Sequence, residues 1–141
     1  MLRNINPLLS GELLKMLDEM GHGDRLALVD RNYPAYSSGC PVIQIRGTRL
    51  LQAAQAILSV LPLDSFVEHP LERMHPDGDP ATVTEIQTRF LRMASESTGL
   101  ELVYGAVERH DFYRRVRDSF VVVQTAEDQP YACFMLQKGV V

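Results

Sequence analysis

Two runs in this 141-residue chain carry side chains able to move protons or grip polar ligands. In the first, Gly21-His22-Gly23-Asp24 leads into an apolar stretch, Arg25-Leu26-Ala27-Leu28-Val29, which ends on Asp30. Histidine is the side chain whose ordinary pKa lies nearest neutrality, and flanking glycines allow unusual backbone angles and close approach of a ligand. Asp30 stands where the apolar run meets Asn32 and Pro34, so His22 and Asp30 together could handle protons at a pocket. Each also has a plain explanation, a surface histidine in a turn and an aspartate closing an Asx turn. In the second run, Arg109 precedes His110 and Asp111 at a helix start, and its planar fork could either face solvent or hold hydroxyl groups. Tyr131, near the end of the chain, could be a half-buried aromatic or line a cavity with its hydroxyl.

Other groupings carry less. His69 and His75 lie with Glu68 and Glu72 in a Pro-rich stretch, but H-x5-H fits no helical or finger pattern, so no metal site is expected. Cys40 and Cys133 are far apart, belong to no C-x-x-C pair, and read as reduced thiols. The net charge is −4, and no Lys/Arg cluster with interleaved aromatics offers a footprint for nucleic acid. Neither a signal-peptide pattern at residues 1–10 nor an apolar run of membrane-spanning length is present, which gives a cytoplasmic expectation.

The elements that must position these residues follow from apolar spacing. Ser10 is an N-cap candidate for an amphipathic helix over residues 11–20, with Gly21 as a left-handed cap, and residues 25–29 read as a buried strand. Residues 31–41 read as loop, 42–45 as a strand, and Gly47-Thr48 as the turn into a helix carrying Leu50 to Leu61 that Pro62 ends. Residues 65–67 are expected as a short strand and His69 to Pro80 as irregular. Asp79-Pro80 is then expected to start a helix that runs to about Ser95. A strand over 101–104, a helix over 111–120, the β-branched strand 121–123 and a last strand over 131–137 complete the chain. In that helix Arg114, Arg115, Arg117 and Asp118 are expected to face water. The alternation predicts a single α/β domain over residues 1–141. It is a three-layer α/β/α arrangement with a mostly parallel mixed sheet and an antiparallel C-terminal strand. In such sheets ligands bind beyond the carboxyl ends of the strands, where Asp30 falls.

The chain resembles the sugar mutarotase family that includes L-fucose mutarotase and D-ribose pyranase. The resemblance rests on Pro7-Leu8-Leu9-Ser10-x-Glu12-Leu13-Leu14, Met20-Gly21-His22-Gly23-Asp24 and Asp30-x-Asn32-Tyr33-Pro34-Ala35. It continues at Leu61 to Glu68, at Glu108-Arg109-x-x-Phe112-Tyr113-x-Arg115, and at Tyr131 with the closing Lys138-Gly139-Val140. Arg109 places the chain nearer the fucose branch, since the ribose branch carries histidine there. The resemblance implies a cofactor-free, metal-free isomerase that interconverts the α and β anomers of a free monosaccharide, L-fucose or a related sugar. His22 would be the acid/base residue, and Asp30, Arg109, Tyr131, Ala132 and Cys133 would bind the sugar. It further implies a ring-shaped homo-oligomer, of which a decamer is one form, with sites near subunit contacts. One departure stands out: the family's usual Tyr-x-Asn is here Tyr131-Ala132-Cys133, a thiol in place of an amide. Two alternatives stay open, a sugar-binding or regulatory protein without catalysis and a D-ribose pyranase.

Overall fold

A computed structural model describes residues 1–141. In chain order the elements are α1 (Gly11–Glu19), β1 (Arg25–Val29), a turn of 3-10 helix (Ala35–Ser38), β2 (Val42–Ile45), α2 (Leu50–Leu58) and β3 (Leu71–Met74). They continue with α3 (Glu85–Thr98), β4 (Gly105–Val107), α4 (Arg109–Val116), β5 (Val121–Thr125) and β6 (Phe134–Gln137). One six-stranded sheet runs in the order β2-β5-β1-β6-β3-β4. The pairs β1–β5, β2–β5 and β3–β4 are parallel, and β6 is antiparallel to both its neighbours, β1 and β3. The α/β architecture and the antiparallel last strand are those expected. That strand does not close an edge beside β5 but is inserted at the centre of the sheet.

Alternation along the strands explains the layers. Leu26, Leu28, Val121, Val123, Phe134 and Leu136 face the larger core, where α1, α2 and α3 supply Leu13, Leu17, Ile57, Ile86 and Phe90. Ala27, Val29, Val122 and Met135 face the opposite side, covered by Phe112 and Val116 of α4, by Tyr33 and by Ala35 of the 3-10 segment. Strands apolar on both faces are what a doubly covered sheet requires.

Several local expectations are corrected. Ser10 does cap α1, accepting from the Leu13 N–H at 3.2 Å. The chain nevertheless leaves this helix through an extended Met20 rather than a left-handed Gly21, and the positive φ of +88° falls on Gly23. Residues 65–67 form a turn, with only an isolated bridge at Leu63–Lys138 nearby. The stretch expected to be irregular contains β3, which carries the charged residues Glu72 and Arg73. Glu72 is paired with Arg115 at 2.8 Å, so Arg115 does not simply face water, and Arg73 is buried against backbone carbonyls. Tertiary partners thus meet charges that local pattern alone cannot place in an interior strand, while Glu72 Oε2 and Arg73 Nε stay buried without a hydrogen-bond partner. Helix α3 starts at Glu85 instead of Pro80, because Thr84 and Gln87 form a reciprocal capping box there. Helix α4 starts at Arg109, capped by Glu108, and ends at Val116, short of Phe120. Helix α2 ends at Leu58, and the strand expected at 101–104 lies at Gly105–Val107. The last strand begins only at Phe134, because Tyr131 adopts a left-handed φ of +58°.

Candidate active site

At the carboxyl end of β1 a cavity of about 250 Å³ is lined by Asp30, Asn32, Tyr33, Met74, Asp77, Arg109, Tyr113, Pro130, Tyr131 and Cys133. That is smaller than the roughly 300–1,000 Å³ of clefts for drug-sized ligands, and suits a single small ring. Asp30 is buried, and its Oδ1 accepts from the backbone N–H groups of Asn32 at 2.9 Å and Tyr33 at 3.0 Å. Gln124 on β5 holds the same turn from the other side, its Nε2 donating to the carbonyl oxygens of Asp30, Arg31 and Tyr33. Burial raises the Asp30 pKa above the usual carboxylate range, against the opposing pull of these hydrogen bonds. The Cys133 thiol donates to Asp30 Oδ2 at 3.4 Å, and burial, with the neighbouring carboxylate, pushes its pKa well up so that it stays protonated.

The opposite wall comes from the far half of the chain. Arg109, the first residue of α4, donates from Nε to Asp77 Oδ1 at 3.1 Å, and the Asp77 charge, together with the Tyr113 hydroxyl, holds its pKa up. The Tyr131 hydroxyl accepts from the Asp77 N–H at 3.3 Å. Tyr33 stands edge-on to Phe112 and Tyr113, and burial raises its pKa, so the phenol remains neutral. The cavity therefore offers a carboxylate, a guanidinium and phenols against the apolar sides of Met74 and Pro130. Such a set can grip hydroxyl groups while leaving room for a ring.

His22 is elsewhere. It precedes β1 and Asp30 follows it, so the two stand at opposite ends of a strand roughly 17 Å long, at about 3.3 Å per residue. The His22 Nε2 lies 3.0 Å from Asp64 Oδ2. Asp64 also accepts from the Phe66 N–H at 2.9 Å and the Gln137 amide at 2.9 Å, and these bonds, the Phe66 N–H foremost, hold its pKa below the usual range. A carboxylate only accepts, so Nε2 must carry the hydrogen, which leaves Nδ1 as the free nitrogen. The Phe66 ring packs edge-on at 5.9 Å, and the imidazole itself is 48% exposed. Within one chain the partner of His22 is thus Asp64, not Asp30.

Of the residues singled out from sequence, Asp30, Arg109, Tyr131 and Cys133 share the cavity. Ala132 is fully buried in the larger core and His22 lies at the far end of the sheet. Sequence reasoning missed Asp64 and Asp77. Asp64 sits 42 positions from the histidine it orients, and Asp77 lies in a Pro-rich loop that gives no sign of facing Arg109. No group of three or more His, Cys, Asp or Glu side chains is arranged to hold a metal ion, and no helix is long and apolar enough to cross a membrane.

The sequence profile of the RbsD / FucU transport protein family matches residues 3–141. The chain belongs to this family. It is 35% identical to an L-fucose mutarotase of Haemophilus influenzae over 140 residues, 99% of this chain and 97% of that protein. The crystal structure of the fucose mutarotase of Streptococcus pneumoniae in complex with L-fucose superposes with a TM-score of 0.91 at 33% identity, covering 99% of both chains. RbsD of Bacillus subtilis, solved with D-ribose, shares the fold at a TM-score of 0.74 and 19% identity over 100% of this chain and 99% of that one. Within the family the chain stands nearer the fucose mutarotases.

Proposed function

We propose that the protein is a mutarotase that interconverts the anomers of a free monosaccharide, L-fucose or a close relative, without a cofactor. The observation that carries this reading is the cavity itself: Asp30, Arg109 and Tyr131 converge in a chain similar over its whole length to fucose mutarotases. Arg109 and Asp30 grip sugar hydroxyls from two sides. His22 in its protonated form gives a proton to the ring oxygen as the anomeric hydroxyl loses its own to water. The ring opens to the aldehyde, C1 rotates, and the same steps in reverse close it on the other face. General acid/base help of this kind accelerates a reaction by roughly 10²–10⁴-fold.

Since His22 and the cavity lie at opposite ends of β1, we infer that a head-to-tail oligomer brings the His22 of one copy to the cavity of the next. Exposed Phe66, Val67 and Val60 around that end of the sheet support a protein contact there. Asp64 then fixes the imidazole so that Nδ1 is the nitrogen that exchanges the proton.

Saturation-transfer NMR on L-fucose, D-ribose and D-galactose tests both parts. The protein is expected to accelerate anomer exchange of L-fucose, and His22→Ala and Asp30→Asn each to abolish it. Randomly co-assembled from these two inactive chains, the oligomer should regain about a quarter of the activity, because only interfaces with both intact halves work. Binding without accelerated exchange would establish a sugar-binding protein instead, the reading that the thiol at Cys133 favours. Exchange of ribose alone would make it a pyranase. No complementation in the mixed oligomer would sink the shared site.

A further inference from the structure

Gln87 lies on α3, wholly buried, and does not line the cavity. Its side-chain amide is nevertheless committed on every side. Nε2 donates to the Met74 carbonyl at 2.7 Å and to the Tyr131 carbonyl at 2.9 Å. Oε1 accepts from the Thr84 N–H at 3.1 Å and from Arg73 Nη1 at 3.3 Å. Two donors and two acceptor sites are all a glutamine has. Met74 and Tyr131 belong to different strand ends, β3 and the approach to β6, and both face the cavity. One NH₂ group bridging their carbonyls fixes the spacing between these two parts of its wall.

The Tyr131 end needs such a hold. Its φ of +58° is in the left-handed region that a residue with a Cβ adopts only when its surroundings impose it. The Gln87 bond pins the carbonyl of that very residue, and with it the direction in which the ring leaves the backbone. Arg73, which also donates to the Pro80 and Thr82 carbonyls, sets the amide in turn and ties it to the loop that carries Asp77.

We propose that Gln87 is a positioning residue for the sugar cavity. It acts through Tyr131 and Met74 without touching the ligand, and this assignment rests on reading the cavity as the sugar site. Gln87→Glu separates positioning from mere support, since it keeps an oxygen for Arg73 and Thr84 and removes both amide hydrogens. Gln87→Met, of similar volume, removes all four bonds and serves where the glutamate variant does not fold. In anomer exchange the variant is expected to raise KM about tenfold while kcat changes less than about threefold. A second readout needs no sugar. In a Cys40→Ser background, modification of the buried Cys133 by a thiol reagent should be about tenfold faster than in Ile57→Val, which loosens the α2 core away from the cavity. With an active wild-type protein, an unchanged KM overturns the proposal, because a merely structural glutamine lowers stability without changing KM. If the wild-type protein accelerates no sugar, the functional reading fails and Cys133 modification alone decides: a rate above that of Ile57→Val upholds the role of Gln87, and an equal rate overturns it.

Discussion

Replacing Asp30 separates the structural from the electrostatic work of its carboxylate. Asp30→Ala removes the acceptor shared by the Asn32 and Tyr33 N–H groups and leaves the Cys133 thiol without its partner. Hydrogen bonds to a charged group contribute about 1.5–3 kcal/mol each, and relief of the burial that raises the Asp30 pKa offsets part of that loss. The expected net cost is about 2–4 kcal/mol, or roughly 10 °C in Tm for a chain of this length. Asp30→Asn keeps an oxygen for both N–H groups and carries no charge, so its stability should lie within about 1 kcal/mol of wild type. The pH dependence gives a second signature. The folded pKa is raised, so the folded state holds the proton more tightly than the unfolded chain. This contribution is therefore present at low pH and declines as pH rises from the ordinary carboxylate range through the raised value. Asp30→Asn should lack that decline. Urea titrations at fixed protein concentration, between about pH 4 and 8, measure both effects. Were the asparagine variant as unstable as the alanine one, the turn-holding role would be wrong; persistence of the decline in Asp30→Asn would show that another group causes it.

Three further outcomes are expected. Cys133→Asn puts an amide beside Asp30 and should tighten L-fucose binding by about 1 kcal/mol, one good hydrogen bond, at little cost in stability; calorimetric titration measures it, and weaker binding would mean that the thiol is already the better fit. Gly139→Ala places a Cβ 2.6 Å from the Leu63 carbonyl oxygen and 2.8 Å from Asp64 Cα, backbone that cannot step aside. It should destabilise by about 1–3 kcal/mol and, by displacing the carboxylate that orients His22, lower the exchange rate; thermal unfolding and saturation transfer report the two effects. Thr84→Ala removes the N-cap of α3 and should cost about 1 kcal/mol by urea titration while leaving the preference among sugars in saturation transfer unchanged.

Much of this protein is determined by short-range sequence. The apolar run 25–29 and the β-branched residues 121–123 make strands because they suit a sheet covered on both faces, and Ser10 starts α1 because its hydroxyl reaches a backbone N–H three residues on. The placement of Asp30 beyond the end of β1, and the family motifs around His22 and Arg109, are likewise legible without coordinates. Other features are decided only by contacts between residues far apart in the chain. β3 exists in a charged, proline-flanked stretch because Arg115 and three backbone or amide oxygens meet its charges, and β6 lies between β1 and β3 because long-range pairing is not written in any local pattern. The same holds for the site. Sequence joined His22 to Asp30 because a single short strand separates them, yet a strand is extended, so that separation drives the two apart. Folding instead gives His22 to Asp64 and gives Asp30 to Cys133, 103 positions away.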